Sequence, residues 1–174
     1  MKMDFNKPTT RLVAAGLLTG CILLLTVSVP IAIPNMAGAY VNPGDVGVYV
    51  AAYLLGTPWG VLAAAAGSAL ADLYYGSVLY IGPTFIIKGL MAFTATKLLR
   101  RWNKLPALLC AGILMPIGYF IFETVYYTIV AGGALNAGVA TAMLGVLPNL
   151  AQYAFGVVVG LLLIKVLERF TIKA

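Results

Sequence analysis

Histidine is absent from the 174-residue chain, and only 5 residues are acidic. The missing histidine removes the commonest general base and the commonest metal ligand, so enzyme and metal-site readings start without their usual parts. Cysteine is scarce: Cys21 and Cys110 each sit alone in an apolar stretch. They offer neither a disulfide framework nor a thiolate metal site, and buried, inert thiols are expected. No GxxxxGK[ST] phosphate loop occurs, so ATP used in this chain's work must be hydrolysed by another subunit. Charge is thin as well, at 9% of residues against 62% hydrophobic. Soluble domains carry roughly a quarter of their residues charged, so the composition is that of a membrane protein.

A hydrocarbon core about 30 Å thick needs about 20 apolar residues per helical crossing. Six crossings use most of the chain, which predicts one all-α domain over residues 1–174, a compact bundle of six transmembrane helices. Apolar runs and their breakers place the helices at about 12–30, 45–55, 58–75, 84–99 and 105–131, with a sixth inside 134–168. Thr57 reads as an N-cap with Pro58 at the first helical position, Pro116 as a kink, and Pro148 as the start of the last helix. Ala37-Gly38-Ala39 superficially resembles a signal-peptide cleavage site, but the preceding apolar run is too long and is kept as an uncleaved helix.

The net charge of +6 is concentrated at segment ends, which points to topology rather than to nucleic acid. Lys2, Lys7 and Arg11 precede the first helix; Lys97, Arg100, Arg101 and Lys104 lie between the fourth and fifth; Lys165, Arg169 and Lys173 end the chain. With six crossings all three groups are cytoplasmic, as are both termini, and Trp59 and Trp102 lie at the same inner interface. Lys88 alone breaks the pattern.

Charged residues inside spans are costly and mark ligand or ion sites. Lys88 falls about 6 Å below the start of the fourth helix, and Asp72 about 21 Å up the third from the inner surface. Glu123 and Asp45 occupy similar outer positions. Helical spacing extends each into a stripe: Asp45, Tyr49, Tyr53; Ser68, Asp72, Tyr75; Tyr119, Glu123, Tyr126, Tyr127; Asn149, Gln152, Tyr153, Gly156. All are expected at one level, as the walls of an aromatic pocket with a few convergent polar groups. The competing readings are a snorkelling Lys88, an exposed N-cap at Asp45, an interfacial tyrosine belt, and an ion pair from Lys88 to Glu123 or Asp72. Gly16 and Gly20, Gly60, Ala64 and Ser68, and Gly156 and Gly160 have the small-xxx-small spacing that brings helix backbones close.

The stretches YVNPGDVGVYVAAYLLGTPWGVLAAAAGSALADLYYG (40–76), IIKGLMA (86–92) and PNLAQYAFGVVVGLLL (148–163) resemble the substrate-binding S component of energy-coupling factor (ECF) vitamin transporters, over essentially the whole chain. The resemblance implies a multi-pass protein of a prokaryotic plasma membrane, without enzymatic activity or cofactor, that works with a transmembrane T subunit and two cytoplasmic ATPases. It implies a vitamin bound near the outer surface under the loop 31–44, with Tyr40 and Asn42 facing it, and release inside by toppling. Tyr75, Tyr80 and Tyr126 would stack on the ring, while Asp72, Lys88, Glu123, Asn149 and Gln152 would bond its substituents. Gly16 and Gly20 stand where the family has an alanine-based docking motif. Three carboxylates against one lysine favour a neutral or cationic ring. The chain looks closest to S components for pyridoxine or hydroxymethylpyrimidine, with riboflavin or thiamine S components and a proton-coupled carrier as alternatives.

Overall fold

The computed structural model describes residues 8–36 and 38–171, so Lys2, Lys7, Ala37 and Lys173 lie outside the described residues. Seven helices and one small ribbon follow in order: α1 (Pro8–Ser28), β1 (Ile31–Ala32), β2 (Tyr40–Val41), α2 (Asp45–Leu54), α3 (Trp59–Tyr74), α4 (Val78–Leu99), α5 (Lys104–Gly112), α6 (Leu114–Val130) and α7 (Leu135–Thr171). Four segments are long and apolar enough to cross a membrane: Pro8–Ser28, Val78–Leu99, Lys104–Val130 and Leu135–Arg169. The helices α2 and α3 are shorter, at 10 and 16 residues.

The differences from the sequence reading fall at prolines and glycines. Helix α4 begins at Val78 rather than at Thr84, because Pro83 sits early enough that the helix continues through it. The fifth predicted helix breaks at Ile113 into α5 and α6, and Pro116 lies in the first turn of α6, where its missing N–H is not needed. Helix α7 runs unbroken through Pro148, which therefore starts nothing. Pro58 precedes α3, which opens on Trp59 with no side-chain cap. Cys21 and Cys110 are exposed, not buried, since in a membrane bundle the outward helix faces are as apolar as the inward ones.

The helix α2 lies at the centre. Seven of its ten residues are buried: Asp45, Val46, Gly47, Val48, Tyr49, Ala51 and Ala52. Its neighbours reach it through residues without side chains. A Cβ on Gly156 of α7 would lie 2.8 Å from the Asp45 Cβ, one on Gly160 would lie 2.8 Å from Tyr49 Cδ2, and one on Gly60 of α3 would lie 2.3 Å from the Ala51 carbonyl oxygen. Two turns further along the same face of α3, a Cβ on Gly67 would meet the Thr19 carbonyl of α1 at 2.8 Å. These glycines, with Ala63, Ala64, Ala65 and Ser68, all buried, are packing within the bundle. Gly16 and Gly20 differ: nothing lies within 4 Å of a Cβ at either.

The chain between α1 and α2 folds back over one end of the bundle. Ile31 pairs with Val41 and Ala32 with Tyr40 in an antiparallel ribbon, a small element that the all-helical reading did not contain. Inside the turn, the Ile33 amide donates to the Ala39 carbonyl at 2.9 Å, and Asn35 carries a φ of 60°. Ile33, Met36 and Ala39 are buried in a small cluster with Tyr80 of α4. Ser77, just before α4, donates its hydroxyl to the Gly38 carbonyl at 2.9 Å.

The glycine contacts yield a direct test. Gly60→Ala drives a methyl into a backbone carbonyl that cannot move aside, so it should destabilise the fold by about 1–3 kcal/mol. Gly16→Ala should be neutral or stabilising by up to about 1 kcal/mol from helix propensity. Thermal unfolding in detergent compares the two, and equal melting temperatures would contradict the packing account.

Candidate ligand-binding site

The buried lysine decides how the site is organised. Because α4 starts at Val78, Lys88 lies ten residues inside it, about 15 Å along its axis, and deeper than the sequence reading placed it. Its partner is Asp45, at the first position of α2, and neither Asp72 nor Glu123. Lys88 is 3% exposed and Asp45 1%, which removes both the snorkelling lysine and the exposed N-cap. Residue 45 faces inward because Gly44 takes the cap position, and a Cβ there would collide with Thr26 Oγ1. The second Asp45 oxygen, Oδ2, accepts from Gln152 Nε2 of α7 at 3.0 Å, and Gln152 Oε1 accepts from the Asn42 backbone amide at 2.7 Å. The Lys88 ammonium also stands 5.7 Å from the centre of the Tyr119 ring, a cation–π contact.

With Asp45 committed to Lys88, two carboxylates remain. Tyr40 of the ribbon donates to Asp72 Oδ1 at 2.7 Å, and Tyr80 donates to Glu123 Oε1 at 3.2 Å. The other oxygens, Asp72 Oδ2 and Glu123 Oε2, are buried without a hydrogen-bond partner among the described residues. Burial, and then the neighbouring Asp72 carboxylate, push the Tyr40 hydroxyl up from its ordinary range, so it remains a donor. Thr84 and Tyr119 share a hydrogen bond of 2.9 Å, and Asn149 is 5% exposed.

These groups enclose a cavity of about 30 Å3. The chain between α1 and α2 roofs it with Ile33, Gly38, Ala39, Tyr40 and Asn42, while Thr26, Ser68, Asp72, Tyr80, Thr84, Lys88, Tyr119, Glu123, Asn149 and Gln152 line it from the helices. Eight of the ten residues expected to meet a ligand are therefore brought together. The other two are not. Tyr75 donates its hydroxyl to the Val27 carbonyl and sets its ring edge against Tyr40 at 5.2 Å, so it backs the wall from outside. Tyr126 stacks on Phe122 at 6.2 Å, one turn away from the cavity.

The α2 stripe also fails to keep to one level. Tyr49 packs against Gly160 and donates to the Leu108 carbonyl, while Tyr53 reaches Glu168 near the far end of α7 at 3.2 Å. A stripe at i, i+4, i+8 climbs about 12 Å along a helix, so only its first member shares the depth of the cavity. Ser68 and Tyr119, expected on the stripes of Asp72 and Glu123, line the cavity, whereas Thr84 was missing from the expected site although it sits four positions before Lys88, which was the available signal. Thr26, one of three hydroxyl residues in the apolar run 12–30, gave none.

The sequence of residues 6–169 matches the family described as ECF-type riboflavin transporter, S component. The chain belongs to that family of ECF S components. A relative named thiamine precursor transporter HmpT, from Lactococcus lactis subsp. cremoris (strain MG1363), is 29% identical over 169 residues, covering 97% of this chain and 94% of its own length. In fold, this S component is similar to a solved chain described as "Structure and mechanism of the S component of a bacterial ECF transporter", with a TM-score of 0.72, 19% identity, and coverage of 95% and 99% of the two chains. The chain is thus a membrane-embedded transport component and not an enzyme.

The ion pair carries its own prediction. Removing one partner leaves a buried charge uncompensated, so Lys88→Met and Asp45→Asn should each cost about 3–5 kcal/mol. The double variant should lose clearly less than the sum of the two. Thermal melting of the four proteins in detergent measures this, and strictly additive losses would show that the pair is not coupled.

Proposed function

We propose that this S component binds an aminopyrimidine of the hydroxymethylpyrimidine type, and that it delivers the ligand through an ECF importer with a T subunit and two ATPases. The observation that carries the ligand class is the pair of unpartnered carboxylate oxygens, Asp72 Oδ2 and Glu123 Oε2, on opposite helices of one cavity. A buried acceptor without a donor is costly, so the favoured ligand presents hydrogen-bond donors at two separated edges. An exocyclic amine and a hydroxymethyl group do this, and the Asn149 amide suits a ring nitrogen. The name of the 29% identical relative, a thiamine precursor transporter, supports the same class over pyridoxine. The family description names riboflavin instead, which is a second reading.

Either ring exceeds the roughly 30 Å3 of the closed cavity, so binding requires the chain between α1 and α2 to move outward and close again over the ligand. In this proposal α2 and α3 complete six crossings, both termini are cytoplasmic, and Gly16 and Gly20 form the surface on which the T subunit docks. That surface is flanked by Leu12, Val13 and Leu17, each more than half exposed.

Calorimetry with hydroxymethylpyrimidine, pyridoxine, thiamine and riboflavin tests the ligand. The pyrimidine should bind tightest, and Asp72→Asn and Glu123→Gln should each weaken it about 10- to 100-fold, the value of a hydrogen bond to a charged group. Unchanged affinity in both variants would refute the site. Gly16→Leu and Gly20→Leu should leave that affinity intact while reducing uptake in cells holding the whole importer. Normal uptake in both would remove α1 from the docking surface. Uptake by the chain alone, driven by a proton gradient, would replace the importer with a secondary carrier.

A further inference from the structure

Gln152 lines the cavity, yet both ends of its amide are already engaged. Its Nε2 donates to Asp45 Oδ2 at 3.0 Å, and its Oε1 accepts the Asn42 backbone N–H at 2.7 Å. The orientation is imposed by Asp45, because a carboxylate can only accept and so takes the NH2 side of the amide. That turns the carbonyl side toward the roof. Asp45 in turn is fixed by Lys88 and by Gly156, which leaves no room for it to shift.

Asn42 adds a second constraint. Its own side chain accepts from the Gly44 amide at 2.8 Å, closing a local turn that presents the Asn42 N–H outward to Gln152. On the far side of this contact lies an apolar groove of about 430 Å3 bounded by Val29, Ile31, Val41, Pro43, Ala151 and Phe155, and Asn42 and Gln152 belong to the walls of both spaces. The bond between them is therefore the partition between the small polar cavity and the open groove.

From this geometry we propose that Gln152 is a positioning residue that latches the roof, connecting the Asn42 backbone to the buried Asp45–Lys88 charge pair, and not a residue that recognises the ligand. The proposal rests on the chain 31–44 being the movable cover of the site, and it is independent of which ligand the site takes. When the latch opens, the roof loses its tie to α7, and the cavity and groove become continuous at this point.

The test is made without ligand. In a Cys21→Ala/Cys110→Ala background, Met36→Cys places a thiol at a roof position that is 4% exposed, and its labelling by a water-soluble maleimide reports opening of the roof. Gln152→Glu opposes Asp45 with a second carboxylate and should speed labelling at least tenfold. Adding Asp45→Asn to it rebuilds every bond with the charge moved to position 152: the new amide at 45 accepts from Lys88 and donates to the new carboxylate, which still accepts from Asn42. The double variant should return labelling to within about twofold of the background. Gln152→Met, which keeps the side-chain length and removes both bonds, should label as fast as Gln152→Glu and serves if the latter does not fold. Labelling of ligand-free protein that no substitution at 152 changes would overturn the proposal. A Gln152 that only contacted ligand would weaken binding and leave that rate alone. Loss of ligand affinity in Asp72→Asn with intact latch behaviour, or the reverse, separates the two claims.

Discussion

An ion pair between the first residue of α2 and the eleventh residue of α4 sets the geometry from which the rest of the site follows. A lysine and an aspartate this deep in an apolar bundle are tolerable only together, with their remaining hydrogen-bonding capacity met. The pair holds the ten-residue helix α2 in the centre of the molecule. Helices α3 and α7 then close on α2 through Gly60, Gly156 and Gly160, where any side chain would collide. Burial of α2 and burial of the charge pair are thus one constraint: a Cβ at Gly156 would strike Asp45 itself.

Once Lys88 is paired with Asp45, the cavity lining keeps two carboxyl groups, Asp72 and Glu123, and no second cationic side chain. Asp72 and Glu123 are treated alike, each with one oxygen held by a tyrosine hydroxyl and one without a partner among the described residues. The tyrosines differ in what carries them. Tyr80 is on α4, whereas Tyr40 comes from the ribbon over the cavity, so the Asp72 half of the site is complete only when the roof is down. A ligand donor on Asp72 would find the carboxylate already oriented by Tyr40, which is how a covering segment contributes to binding without itself supplying every contact.

Much of this was readable from the residues because hydrocarbon imposes a strong filter. Asp45, Asp72, Lys88 and Glu123 stand out against apolar surroundings, and the level at which Asp72, Glu123, Asn149 and Gln152 meet follows from helical rise alone. Pairing was not readable: Asp45, Asp72 and Glu123 are equivalent partners for Lys88 on a linear chain, and the choice depends on α2 being buried, which rests on glycine contacts between distant segments. Proline was over-read at position 148, since a helix wrapped by neighbours survives the loss of one hydrogen bond. The tyrosines at 75 and 126 share a face with charges but lie a turn too far along, and periodicity fixes direction better than height. Cys21 and Cys110 failed for a reason particular to membranes, where an apolar neighbourhood does not imply an inward one.

The roof is held quite differently from the frame beneath it. Its ties to the helices are the small apolar cluster on Tyr80 and neutral or singly charged hydrogen bonds, from Tyr40 to Asp72, from the Asn42 amide to Gln152 and from Ser77 to Gly38. Such bonds contribute about 0.5–3 kcal/mol each, so together they close the roof without locking it. The charge pair below, which costs several kcal/mol to break at one end, does not open on the same scale. Two of the roof ties end on residues of the cavity wall, Asp72 and Gln152, and one of these leads directly into the pair. On the proposal made above, opening moves the chain between α1 and α2 and leaves the helix positions of the cavity-lining groups unchanged. On that proposal the two requirements are separate: selectivity resides in the charge-anchored helices, and access in a segment whose ties are individually weak.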